Sequence, residues 1–516
     1  MLNRIFGKKF HDYFHLFGIS AFSIGLPSSK IILSIATILI LLNLLLEADY
    51  GNYWRNIKTN RIFLILTAYF SLHLIGLLWS ADFEYAFQDI RIKLTIFILP
   101  LVIVSKPLES EKQLRNILLL FCAALVFTSL VNFASYQHWF GTKIYGDIRA
   151  LSLFGSHIRY GILIAMGAAI SLFYIWKLES AKKWFLVPVL VWFCFYTYYS
   201  QIISGLLALV LILCTFLLFV GFRKSKRFGY SLVIILFLLA LLPSVYLFMN
   251  LKEQTKIDLS PLESVSPFGN PYTHNVNPNT YINGKPIFTY LCEEELKKAW
   301  NDRSSLNYDS LDNRKQPLRI TLIRYMSTKG LRKDRTDFQK LTTKDIRFIE
   351  NGVASIQETK TGFPARFEGI KFQLNNSLDP NGHSLLQRLE FWKTGWTIIK
   401  ENWIFGVGTG DVQDAFDQQY AIENSALLPV NRLRAHNAYL TNWISFGILG
   451  LLLFIWMHVA FFVENYKNGN ILPLLFCIVA MTTFFIEDTL ETQMGAAFFA
   501  FFYALFLPKK ELIKAD

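Results

Sequence analysis

Nearly unbroken apolar stretches recur along this 516-residue chain, each close to the roughly 20 residues that cross the hydrocarbon core of a bilayer. So many such runs cannot share one soluble core. In lipid, a backbone must satisfy its own hydrogen bonds, so the runs read as helices. Charged residues are only 17% of the chain, against about a quarter in soluble domains. The reading is an all-α polytopic membrane protein of about 12 transmembrane helices. They are placed near 11–27, 29–47, 62–80, 91–105, 115–136, 158–176, 184–199, 202–221, 229–249, 436–463, 471–487 and 493–507. FEYAFQDIRIK, before the fourth, could also form an interfacial helix. The basic, then apolar start MLNRIFGKKFHDYF lacks a small-residue cleavage site before Pro27, which predicts an uncleaved first span.

The net charge of +13 raises the possibility of nucleic acid, but placement decides otherwise. With the N-terminus in the cytoplasm, NYWRNIKTNR, SKPLESEKQLRN, WKLESAKKW, FRKSKRFG, ENYKNGN and PKKELIKAD fall on the inner side. PSS, ADFEYAFQD, YYSQ and EDTLETQ fall on the outer side. The basic residues thus gather inside, as expected for a membrane protein with both termini cytoplasmic, and no nucleic-acid partner is expected. Cys122, Cys194, Cys214 and Cys477 lie in apolar runs, where they read as small buried hydrophobes. Cys292 stands alone in a polar region, and no spacing suggests zinc or a disulfide framework.

This topology puts one long polar region, 250–435, outside the cytoplasm. The expected domains are therefore helices 1–9 over 1–249, a large loop over 250–435, and helices 10–12 with a tail over 436–516. Within the loop, LTTKDIRFIENG has a Thr342-x-x-Asp345 capping box and a Gly352 stop. YLCEEELKKAWNDR reads as an amphipathic helix with i,i+4 Glu–Lys pairs. In LLQRLEFWKTGWTIIKENWIF, Leu386, Leu389, Trp392, Trp396, Ile399 and Trp403 form a stripe suited to a helix on the outer membrane interface.

Ionisable groups at membrane depth are costly and suggest function. Arg434-Ala435-His436-Asn437 enters the tenth span, and histidine is the side chain best suited to proton transfer near neutral pH. Its plain alternative is a polar helix start. Arg388 carries a donor fork that suits phosphate oxygens, or snorkels. Arg149, His157 and Arg159 cluster at the start of the sixth span, as functional groups or as interfacial anchors. Glu487, Asp488 and Glu491 sit in an outer turn, where they pair with the arginines or, for at least one, face solvent. GVGTGD, 406–411, lacks the preceding strand and the Lys-Ser/Thr of a nucleotide loop. It remains either an anion-binding backbone nest or a tight turn. A histidine and several arginines on one side, with no metal set and no nucleotide site, fit a substrate that brings its own phosphate leaving group. A lipid diphosphate carrying a sugar is such a substrate.

RLEFWKTGWTIIKENWIFGVGTGD followed by RAHNAYLTNWISFGILGLLLF resembles the bacterial O-antigen ligase and polymerase superfamily. The shared features are an Arg-x-x-x-Trp helix, a Gly-x-Gly-x-Gly turn, and His-Asn before a span with Gly-x-x-Gly. SHIRYG and EDTLETQMGAAFFAFF look like the versions in Bacteroidota members. The resemblance implies a GT-C-like architecture of the O-antigen ligase type, with one large periplasmic loop, in the bacterial inner membrane. It implies a metal-independent, inverting glycosyltransferase without cofactors, active on the periplasmic face. The donor would be an undecaprenyl-diphosphate-linked glycan. The acceptor expected first is lipid A–core; a growing glycan or a protein hydroxyl are the alternatives. His436 matches the family's essential histidine, and Arg388 an arginine thought to contact the diphosphate. Arg159 or Arg149 would be a second such contact. Arg434, Asn437, His157, Glu487 and Glu491 are expected to support them. The chain departs from the family at YYSQIISG, where members often have Ser-Arg-Gly; Arg159 is the candidate replacement. Its loop is longer, and the basic LIRYMSTKGLRKDRTDF could recognise an acidic acceptor or form a solvated face. A transporter, the competing class, would show repeated halves and broken midplane helices, and neither is seen in the sequence.

Overall fold

A computed structural model describes residues 7–139, 151–251, 262–275, 281–282, 285–313, 316–356, 359, 380 and 384–507. Two compact units divide the chain, one made of 1–236 and 388–516, the other of 237–387.

The first unit is helical among its described residues. Its elements are α1 (Lys8–Ser28), α2 (Lys30–Glu47), α3 (Tyr50–Thr59), α4 (Arg61–Ile75), α5 (Phe83–Ser105), α6 (Glu111–Tyr136), α7 (His157–Lys177), α8 (Leu186–Tyr199), α9 (Ile203–Lys224) and α10 (Lys226–Leu251), which runs on past the unit's end. Each of the first nine stretches read as spans is a helix. FEYAFQDIRIK is not a separate interfacial helix; it is the first half of the continuous α5, capped by Asp82. Six helices of the described chain are long and apolar enough to cross a membrane: α2, α4 with its 3-10 extension to Trp79, α6, α7, α9 and the helix Ala438–Lys467. Many of their large side chains point outward, among them Ile31, Ile35, Phe127, Leu207 and Val210. A polytopic membrane protein accounts for so much exposed apolar surface. Of the cysteines, Cys122, Cys477 and also Cys292 are buried, whereas Cys194 is exposed. Its place in an apolar run had wrongly implied burial, because a membrane helix is apolar on its lipid face too.

The second unit carries its own core around Trp300, Leu318, Leu322, Met326, Phe338 and Ile349. β1 (Thr273–Asn275) pairs antiparallel with β4 (Phe288–Leu291), and β2 (Tyr281–Ile282) with β3 (Lys285–Pro286). Helices α11 (Glu293–Asn301), α12 (Leu318–Thr328), α13 (Arg335–Phe338) and α14 (Thr343–Glu350) follow. The expected capping box opens α14 through Thr342 and Asp345, and Gly352 beyond it has φ 75°. The predicted Glu293–Lys297 pair of α11 is replaced by partners from elsewhere. Lys297 pairs with Asp309, and Glu293 with Arg319 at 2.7 Å. The basic stretch around 322–338 is largely spent inside the unit. Arg332 forks onto Glu263, Lys329 binds Asp345, and Lys333 is buried against the Thr289 carbonyl.

The chain returns to the first unit through α15 (Ser384–Glu401), then α16 (Val412–Ile422), α17 (Ala438–Lys467), α18 (Ile471–Ile486) and α19 (Gln493–Leu505). The core face of α15 is Phe391, Thr394, Gly395, Ile398 and Ile399, while Leu389, Trp396 and Trp403 stay exposed. Helix α17 breaks at Phe446 and Gly447, the latter at φ 62°, ψ −160°. The break frees backbone groups that GVGTGD and the end of α15 satisfy. Val407 and Gly408 donate to the Ile444 and Ser445 carbonyls at 2.8 and 2.9 Å, and Ile448 donates to Trp403 at 2.8 Å. Gly410 donates to Ser80 Oγ, and the Asp411 carboxylate takes the Ala81 and Asp82 amides ahead of α5. The amides from Gly406 to Gly410 are therefore committed to protein acceptors, so the loop is a clamp on a broken helix and not an anion nest.

Candidate active site

The mouth of α17 is built from its cap outward. Asn437 takes a non-helical conformation, and its side-chain oxygen accepts from the Tyr439 and Leu440 amides at 3.0 and 3.2 Å. Its amide nitrogen donates to the Phe485 carbonyl at the end of α18. His436, just before, has φ 46°, a region that costs energy for a non-glycine residue and needs its surroundings to hold it. Two contacts do so. Its backbone N–H donates to Asp488 Oδ2 at 3.0 Å, and its ring lies 5.6 Å from that of Phe391 at 30°. On the same α15 face, Trp392 donates its indole N–H to the Ala435 carbonyl at 2.9 Å. The Arg-x-x-x-Trp pattern is thus a means of pinning the histidine segment to α15.

The turn from Glu487 to Glu491 was expected to leave at least one acid in solvent. Instead, Glu487 and Asp488 are buried, Glu491 is half-buried with its side chain 8% exposed, and all three are partnered. Glu487 stands between Arg388 and His436, its Oε1 3.0 Å from Arg388 Nη2 and its Oε2 3.3 Å from His436 Nδ1. Asp488 also accepts the Thr441 hydroxyl at 2.8 Å. Glu491 binds Arg434 at 3.1 Å and Lys93 at 2.8 Å, and Lys93 in turn holds Asp89 at 2.6 Å. The Arg434 guanidinium lies over the Tyr85 ring. The acids are buried because they fill the space between basic groups on α5, α15 and the α17 mouth, geometry that a run of acidic letters does not disclose.

Burial alone would raise the Glu487 pKa, but the bond to His436 and the charges of His436, Arg388 and Arg159 outweigh it and hold the carboxyl below its usual value. Burial does raise the Asp488 pKa above its usual value, against the pull of Arg434. Burial opposes the charge on Glu491 too, and there Lys93 and Arg434 prevail and keep it ionised. Arg434 is desolvated, yet Glu491 and Asp488 hold its pKa above the ordinary value.

Arg159, in the first turn of α7, faces Glu487 and Asp488 electrostatically. Its Nε and that of Arg388 are both buried without a hydrogen-bond partner among the described residues. His157 opens the same helix. Arg149 lies outside the described residues. His436, Arg388, Glu487 and Arg159 are therefore brought to one place, while Arg434 and Glu491 form an adjoining ionic layer. Lys93 and Asp89 were missed by the sequence reading. The signal was present: an Asp and a Lys four residues apart in an apolar helix. Phe391 had no such signal, since an aromatic on a helix face reads as core.

A helical membrane protein with a half-buried histidine and arginine sharing a buried glutamate at the mouth of a broken helix is the class that fold and site define. Residues 345–455 match the model of the O-Antigen ligase family, the region that holds Arg388, the glycine loop and His436, and this bears out the resemblance read from the sequence. The match supports a ligase- or polymerase-type part in glycan assembly. An uncharacterized protein of Haemophilus influenzae is 28% identical over 149 residues, 28% of this chain. The chain covers 37% of that relative's length.

Proposed function

We propose that the protein is a glycosyltransferase of the inner membrane. It would move a glycan from an undecaprenyl-diphosphate carrier to an acceptor hydroxyl at the periplasmic face, with lipid A–core as the first acceptor to test. The observation that carries this reading is Glu487 shared by Arg388 and His436, beside two guanidinium Nε–H groups without acceptors among the described residues. Unspent donors on two arginines suit the oxygens of a diphosphate.

In this mechanism Arg388 and Arg159 bind the diphosphate and stabilise the charge that grows on it as the sugar bond breaks. With the His436 Nδ1 proton directed at Glu487, Nε2 is the nitrogen that takes the proton of the attacking hydroxyl. Attack from the face opposite the diphosphate inverts the anomeric carbon. Both products are then accounted for: a glycosidic bond to the acceptor and a free lipid diphosphate. The site's carboxylates are each engaged by cations or by an amide and a hydroxyl, which suits a reaction whose phosphate charge is met by guanidinium groups.

The test is transfer by purified protein from lipid-linked glycan, without ATP or an ion gradient. His436→Ala and Arg388→Ala should each abolish transfer while the protein still inserts, and wild-type rates from both would sink the assignment. Dependence on a gradient would instead favour a transporter. Among acceptors, glycan ladders from a deletion strain separate the choices. Short-chain material points to a polymerase, loss of attachment to lipid A–core to a ligase, and unglycosylated protein to a protein O-oligosaccharyltransferase.

A further inference from the structure

The other end of the same unit holds a basic cavity that the transfer reaction does not use. Helix α17 runs 30 residues from Ala438 to Lys467, about 45 Å at 1.5 Å per residue. Its final turn, with Asn465 and Asn468, forms one wall of a cavity of about 390 Å³. The start of α6 supplies Lys112 and Arg115, and the end of α7 supplies Lys177. Glu111 is the single carboxylate among the described lining residues, and Lys177 holds it at 2.8 Å. Among the described residues, no carboxylate is paired with the exposed Lys112 or with Arg115. Arg115 is half-buried beside Tyr174, and no described carboxylate pairs with it. Leu472 and Leu505, from α18 and α19, make an apolar wall opposite the charges.

We propose that this cavity binds the phosphate headgroup of an anionic phospholipid. A partly desolvated guanidinium without a counter-charge is costly, and an anion in the cavity removes that cost. Basic pockets between membrane helices are the usual seats of such headgroups. The apolar wall favours a lipid over free phosphate, because it offers the glycerol and the first acyl carbons a surface that inorganic phosphate cannot use. In the orientation set by the loop charges, this is the cytoplasmic end, remote from His436. The site is thus independent of the transfer reaction.

The experiment is native mass spectrometry of the purified full chain with added cardiolipin or phosphatidylcholine. Cardiolipin adducts should exceed phosphatidylcholine adducts at least about tenfold. The double variant Lys112→Gln, Arg115→Gln should lose that preference by about fivefold per cation removed, and Arg115→Lys should keep most of it. Equal retention of both lipids by the wild type would overturn the proposal without recourse to any variant. So would full selectivity in the double variant. Displacement of cardiolipin by millimolar inorganic phosphate would identify free phosphate as the ligand and overturn the lipid assignment. If cardiolipin is bound only when the chain is shortened after Leu507, the terminal PKKELIKAD is the occupant and the proposal fails.

Discussion

Glu487 is the residue on which the site turns, because it touches both the candidate base and a candidate phosphate-binding arginine. Its pKa is held below the usual value, so the contact stabilises the fold at pH values above the unfolded pKa of about 4.3. It is lost as pH falls through the lower folded value. Glu487→Gln should therefore remove part of the acid-side loss of stability, seen as a flatter Tm-versus-pH curve below about pH 5. The same substitution should lower kcat by about 10²-fold, since the amide no longer fixes the Nδ1 proton or the charge balance at Arg388. An unchanged Tm curve and unchanged kcat would show that the carboxylate does neither.

At the scale of elements, the broken helix α17 and the glycine loop are one device. A Cβ on Gly447 would sit 1.9 Å from the Ile404 carbonyl oxygen, and one on Gly406 2.4 Å from the Ser445 carbonyl carbon. Both glycines also have positive φ. Gly447→Ala should destabilise the protein by about 2–4 kcal/mol and slacken the α17 mouth, read as faster amide exchange at Val407, Gly408 and Ile448. Gly51→Ala, on an open surface with nothing near the added methyl, is the control and should change stability by under about 1 kcal/mol. The glycine spacing was plain in the letters. What the loop does depended on a partner about 40 residues away, so both a nest and a turn fitted the sequence. The capping box of α14, by contrast, involves residues three apart and was legible outright.

At the scale of the whole molecule, the loop charges and the placement of His436 make a topological prediction. In a background lacking the native cysteines, Val430→Cys, 80% exposed near the candidate site, should react with a membrane-impermeant maleimide from the periplasmic side. Lys467→Cys, at the far end of α17, should react only after the inner membrane is opened. The reverse pattern would invert the orientation and remove the lipid-linked donor from reach of His436.

Much about this protein was determined by local sequence. Apolar run length located the helices, because a membrane rewards apolar side chains and forces the backbone to bond within each run. Motif spacing located His436, Arg388 and the glycine turn. Only the tertiary structure decided how their charges are balanced. Glu487, Asp488 and Glu491 look like a wet acidic turn when read in order. Their carboxylates are drawn out of solvent because Arg388, Arg434 and Lys93 arrive from α15, the α17 mouth and α5 to meet them. Electrostatic pairing depends on distance in space, and residues as far apart as Lys93 and Glu491 become neighbours only when the helices pack.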